Sequence, residues 1–342
     1  MSRISTDPRI DPRLKAAFGA MPDAPALGDV SSREVMLAET QTQAAREAYA
    51  AQTAMFSMMD TEAVAPSKGL RVTTEEFVSS PDGNMVKVLF IRPDSDEAVP
   101  CVCYLHGGAM QFWSAFDGLY RAWGRLLAAQ GVAVALIDFR NALIPSSSGT
   151  VAPFPAGLND CVSGVRWVHT QAGKLGVDRS RIVVAGESGG GNLTLATGMS
   201  LLRAGDIGRI KGLYALSPYL AGRWPSAATP SSVENDGLFL SLHNNRGAMA
   251  YGIGALEQRN PLAWPSFATD ADVKGLPPTV IHVNECDPLR DEGIQFYRLL
   301  ARNGVAARCR QAMGTLHAAE IFPAVCPDVS GDAIRDLAAF AK

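Results

Sequence analysis

The chain has 342 residues, 47% of them hydrophobic and 19% charged, with a formal net charge of −3. That balance excludes a disordered chain, and the lack of any basic run excludes nucleic acid or an anionic membrane as the main partner. No apolar run approaches the ~20 residues of a membrane span, and the N-terminus has no signal-like apolar stretch, so a cytoplasmic protein is expected.

Residues 1–66 read as a helical leader, with a helix over about 31–60 capped near Ser31 and Ser32. The leader holds no residue with obvious chemistry, and packing as part of a lid is expected of it. From Arg71 the pattern turns to period two. Segments 71–78 and 85–92, separated by Ser-Ser-Pro-Asp-Gly-Asn, predict a β-hairpin. Apolar strands then alternate with helices: strands over 100–105, 132–139, 182–185, 211–216, 279–284 and 305–311, and helices over about 116–130, 156–175 and 330–339. Another helix begins at Gly189, and one at Pro288. This alternation predicts an α/β fold, a mostly parallel sheet with helices on both faces. Residues 218–277 break the rhythm with Pro, Ser, Asn and Trp. About 60 residues between two core strands is too long for an ordinary loop, so an inserted cap segment is expected. The core is then 67–217 with 278–342.

The chemistry gathers around Gly186-Glu187-Ser188-Gly189-Gly190, a G-x-S-x-G between a β-branched run and a Leu/Ala-rich helix. A strand reversing into a helix crowds its own backbone, so glycines flank the turn. The central serine is forced into a strained conformation with its hydroxyl exposed. A serine nucleophile needs a base, an orienting acid and donors for an oxyanion. Of the five histidines, His169 and His282 lie in helix and strand patterns and His243 in the insertion; all three read as structural or surface residues. His317 follows the last strand, in the loop 313–318, and is the candidate base. Asp287 follows the strand ending at Asn284 and is the candidate acid, with Glu285 and Asp291 as rivals. Asp291 reads better as a first-turn carboxylate or salt-bridge partner. After the strand 100–105 comes His106-Gly107-Gly108-Ala109. Its glycines let backbone N–H groups turn inward, so Gly108, Ala109 and Gly189, with Gly107 close by, are the expected oxyanion donors. His106 is expected to brace this loop. Met110, Phe112, Trp113 and Tyr219 are pocket candidates that read equally well as core. The six cysteines form no C-x-x-C and are expected to be reduced and buried. Neither a metal nor a cofactor is implied.

Four motifs in one order, His106-Gly-Gly-Ala, Asp138-Phe-Arg-Asn-Ala, Gly186-Glu-Ser-Gly-Gly and Asp287-Pro-Leu-Arg-Asp-Glu-Gly, followed by His317, resemble the bacterial hormone-sensitive-lipase-like carboxylesterases, family IV of the α/β-hydrolase superfamily. The resemblance runs from about Pro100 to the C-terminus. It implies an α/β-hydrolase fold with an eight-stranded sheet, and a helical cap built from the leader and the insertion. It also implies hydrolysis of short-chain esters without a cofactor, and, as is common in that family, a homodimer. An amidase or deacetylase with the same triad is the alternative; a non-catalytic binding protein on the same fold is the remoter one. Three departures stand out: Ala109 where the family has a third Gly, Glu187-Ser188-Gly189 where it has Asp-Ser-Ala, and a longer loop over 141–153. Glu187 is expected to be structural.

Overall fold

The structure, a computed structural model, describes residues 2–342. An eight-stranded sheet has the order β1-β2-β4-β3-β5-β6-β7-β8. Strands β1 (Leu70–Val78) and β2 (Met85–Pro93) form the expected hairpin, antiparallel from Leu70↔Pro93 to Val78↔Met85. Strand β2 runs antiparallel to β4 (Ala133–Ile137). Parallel pairs link β4 to β3 (Val99–Leu105), then β5 (Val177–Glu187), β6 (Gly212–Leu216), β7 (Thr279–Cys286) and β8 (Ala307–Leu316). The α/β class and the mostly parallel eight-stranded sheet are therefore as expected.

A parallel sheet must be covered on both sides, and the alternation of side chains does this. From β3, Cys101, Cys103 and Leu105 enter one core with helices Ala156–Thr170, Gly189–Arg203 and Arg290–Arg302. Val102 and Tyr104 enter the other, with helices Gly118–Ala128 and Pro327–Ala341.

Several boundaries differ from the sequence reading. The helix expected over 31–60 is two, Arg33–Thr40 and Gln43–Ser57, because Thr42 caps a new start by accepting from Ala45 N–H. The helix expected to reach residue 175 ends at Thr170, with a separate turn Ala172–Leu175. Strand β5 begins before Ile182. Strand β8 runs past Gln311 to Leu316, so His317 stands directly at a strand end and Met313 lies inside the strand.

The leader and residues 218–277 pack on each other. The insertion holds only short helices, among them Arg246–Tyr251 and Ile253–Glu257. Arg9 pairs with Glu234, Arg246 with Glu39, and Asn245 bonds Val30 in both directions. Phe18 of the leader stands edge-on to Phe239 of the insertion (5.2 Å) and to Phe322 (5.4 Å), which lies just beyond His317. Phe56 packs on Trp113 and Phe322, so the same aromatic cluster reaches the loop after β3.

Candidate active site

Ser188 stands at the junction of β5 and helix Gly189–Arg203 with φ 56° and ψ −117°. This left-handed backbone is uncommon for a residue with a Cβ, and it marks a turn held in place by its surroundings. The flanking glycines are obligatory: a Cβ on Gly186 would lie 2.4 Å from Leu105 O, and one on Gly190 would lie 1.9 Å from it. Ser188 N–H donates to Leu216 O (2.9 Å), which ties the elbow to the end of β6.

Asp287 and His317 meet because of the sheet register. Cys286 pairs with Leu316, so the next residue on each strand is Asp287 on one side and His317 on the other. That pairing depends on an irregularity between Asn284 and Cys286. Glu285 serves there: its Oε2 accepts from Gly314 N–H at 2.7 Å, and Gly314 holds φ 72°. The rival acid is thus occupied in shaping β8. Asp291, the other rival, accepts from Ser231 N–H (2.7 Å) and pairs with Arg290 in the first turn of its helix.

His317 Nδ1 lies 2.8 Å from Asp287 Oδ2, both side chains buried. Asp287 Oδ1 accepts from Leu289 N–H (2.9 Å), which fixes the carboxylate. Asn235 of the insertion donates to the carbonyls of Glu285 (3.0 Å) and Asp287 (3.1 Å), a support that no motif announced. Burial alone would pull the His317 pKa down. The charge of Asp287 and its hydrogen bond outweigh burial, with Glu320 and Glu187 adding to them, so the pKa lies above its usual value. Among the described residues nothing hydrogen-bonds Nε2, which leaves that nitrogen free.

Glu187 is fully enclosed. Its carboxylate accepts from Tyr104 OH (2.8 Å), Tyr120 OH (2.6 Å) and Gly107 N–H (2.7 Å), and burial pushes its pKa up to about 7. Gly107 therefore needs correction as an oxyanion donor: its N–H is committed to Glu187, and the residue shapes the loop instead. The N–H groups of Gly108, Ala109 and Gly189 have no acceptor among the described residues. Gly108 (φ 87°), Ala109 (φ 52°) and Met110 (φ 60°) form a run of left-handed backbone. His106 stacks on Phe139 at 4.2 Å and bonds Gly107 O through Nδ1 (2.9 Å); burial lowers its pKa, as suits a neutral brace. Asp138 accepts from Ala115 N–H (2.7 Å) and Ser147 N–H (2.7 Å), so its motif clamps the loop after β3 to the loop 141–153. Ala142 N–H donates to Met110 O (2.8 Å), and Leu143 and Ile144 donate to Gln111 O, so the long loop supports the left-handed run from beneath.

The remaining histidines lie elsewhere. His169 neighbours Arg209, His243 bonds Ser232 O, and His282 is buried in β7. Of the pocket candidates, Met110 is buried, and Tyr219 packs between Trp224 and Trp264 as core of the insertion. Phe112 and Trp113 are partly exposed and stand edge-to-face. Five cysteines are buried and Cys309 is partly so, and none is bridged among the described residues.

Comparison with known proteins agrees with the fold. A family described as alpha/beta hydrolase fold matches residues 102–321. The carboxylesterase NlhH of Mycobacterium tuberculosis is 32% identical over 252 residues, 71% of this chain and 74% of its own. The structure of esterase Est22 superimposes with a TM-score of 0.98 at 58% identity, covering 100% of this chain and 99% of that one. The brefeldin A esterase, a bacterial homologue of human hormone-sensitive lipase, superimposes at 0.85 with 36% identity over 98% and 94% of the two chains. The chain belongs to the hormone-sensitive-lipase-like carboxylesterases of the α/β-hydrolase fold. A carboxylesterase is a carboxylic-ester hydrolase, and the polar groups described above lie at the carboxyl ends of its strands, where such a sheet presents its chemistry. Among the described residues no helix is long and apolar enough to cross a membrane.

Proposed function

We propose that this carboxylesterase works through an acyl-enzyme on Ser188, with His317 as base and Asp287 as orienting acid, and that it prefers short acyl chains. The observation that carries the reading is the buried 2.8 Å contact of His317 Nδ1 with Asp287, taken together with a serine held at φ 56° in the strand-to-helix elbow. His317 Nε2 takes the Ser188 proton as Oγ bonds to the ester carbonyl carbon. The carbonyl oxygen becomes an oxyanion held by the N–H groups of Gly108, Ala109 and Gly189. The tetrahedral species collapses, and the alcohol leaves with the proton from His317. Water then gives a proton to His317 and attacks the acyl carbon, and the acid departs as Ser188 recovers its hydrogen. Asp287 holds the ring tautomer and stabilises the imidazolium throughout.

Residues 1–66 and 218–277 form the two-part cap in this reading. Their joint packing at the Phe18–Phe239–Phe322 cluster, beside the loop of His317, supports a narrow acyl site. The buried, unbridged thiols support a cytoplasmic setting. A panel of p-nitrophenyl esters from acetate to palmitate, run beside matched anilides, tests the reading. The expected result is highest kcat/KM at acetyl to butyryl and little anilide turnover. A preference for long chains overturns the acyl assignment, and faster anilide turnover moves the enzyme to the amidases.

A further inference from the structure

The elbow and the loop over 107–110 touch more closely than any side chain at position 189 would permit. A Cβ on Gly189 would lie 2.6 Å from Met110 N and 2.8 Å from both N and Cα of Ala109, all backbone atoms. On the other side of Ser188, Glu187 Oε1 lies 2.7 Å from Gly107 N, and a Cβ on Gly107 would meet that oxygen at 2.4 Å. Between these two contacts the loop holds Ala109 and Met110 at positive φ, a conformation that costs L residues about 1 kcal/mol or more each. Such a run persists only where neighbours fix both of its ends. A shift of a few tenths of an ångström there would move the Gly108 and Ala109 N–H groups off the oxyanion.

We propose that Glu187 is a positioning residue of the oxyanion loop, acting with the close backbone contact between Gly189 and residues 109–110: the carboxylate fixes the loop's first N–H, and the bare Cα at 189 leaves room for the strained backbone of Ala109 and Met110. This rests on Ser188 being the nucleophile. Glu187 reaches the loop through its full side-chain length, with Tyr104 and Tyr120 holding the same carboxylate so that it cannot swing. Glutamine keeps that length and an accepting oxygen, whereas aspartate is a methylene too short. Alanine at 189 pushes the loop away, and glycine at 109 restores the freedom to retreat without losing the N–H groups.

The test is kcat and KM on p-nitrophenyl acetate for Glu187→Gln, Glu187→Asp, Gly189→Ala and the Ala109→Gly/Gly189→Ala pair, each with its thermal midpoint. Glu187→Gln should keep kcat within about threefold. Glu187→Asp and Gly189→Ala should each lose kcat by ~10²-fold at nearly constant KM, the effect of one misplaced oxyanion donor. The double variant should regain at least about tenfold over Gly189→Ala, since residues in contact couple rather than add. Equal kcat for Glu187→Asp and Glu187→Gln, or a double variant no better than Gly189→Ala, overturns the proposal. If Gly189→Ala does not fold, the Glu187 pair decides alone. Full activity in Ser188→Ala would instead overturn the reading beneath it, while leaving the four variants' kcat values to stand as a separate result.

Discussion

His317 carries two opposed influences, burial that favours the neutral ring and the Asp287 carboxylate at 2.8 Å that favours the charged one, and the carboxylate wins. Activity needs the neutral ring, so the acid limb of the kcat/KM profile should lie above pH 6.5, the ordinary histidine value. Asp287→Asn removes the charge and leaves burial unopposed. Its limb should move to lower pH, and kcat should fall by ~10⁴-fold through loss of the correct tautomer. A limb that stays in place in that variant would contradict the assignment of Asp287. The placement of Ser188, Asp287 and His317 at strand ends was legible because each follows a recognisable strand, in the chain order that a hydrolase requires. What Glu187 holds was not legible: Tyr104 comes from β3 and Tyr120 from the following helix, and no spacing predicts that their hydroxyls converge on one carboxylate. Gly107 misled for the same reason, since a glycine-rich loop advertises free N–H groups without showing which already has an acceptor.

Among the elements, helix Arg290–Arg302 bears a second enclosed carboxylate, Glu292. It accepts from Leu220 N–H (2.5 Å) and Trp224 Nε1–H (2.9 Å), binding the start of the insertion to the strand end that carries Asp287. Burial pushes its pKa up to about 8. An acid raised in the folded state holds a proton that the unfolded chain has already released. Its contribution is therefore full below about pH 4.5 and is lost as pH rises to about 8. Urea midpoints of the native protein should fall between about pH 7.5 and 8.5, a window above the ordinary histidine value of 6.5, in which the burial-lowered histidines His106, His169 and His282 are largely neutral in both states. Glu292→Gln loses one of the hydrogen bonds at every pH, yet its midpoint should change less over that window; an unchanged slope would contradict the account. Strand β8 was underestimated from the sequence because its last residues, Ala312 to Leu316, include Gly314, which reads as a turn but here holds φ 72° inside the strand with its N–H bonded to Glu285. The irregularity that brings His317 level with Asp287 comes from pairing between strands, which a single strand's residues do not encode.

At the scale of the molecule, the leader and the insertion are far apart in sequence and meet through Phe18, Phe239 and Phe322. Their composition marked them as exceptions to the α/β alternation, but the partner of each became visible only once the sheet had folded. Phe18 is 5% exposed, so Phe18→Ala should lower stability by about 3 kcal/mol in urea unfolding. Because the cluster borders the loop of His317, the variant should also raise the hexanoate-to-acetate ratio of kcat/KM; an unchanged ratio would separate this contact from acyl selection. In the proposed mechanism Ser188 becomes acylated during turnover. The most direct measurement is intact-mass and peptide mapping of the protein after reaction with a fluorophosphonate. One stoichiometric adduct is expected, located on Ser188, lost in Ser188→Ala and slowed severely in His317→Ala. An adduct on another residue, or esterase activity undiminished in Ser188→Ala, would contradict the mechanism.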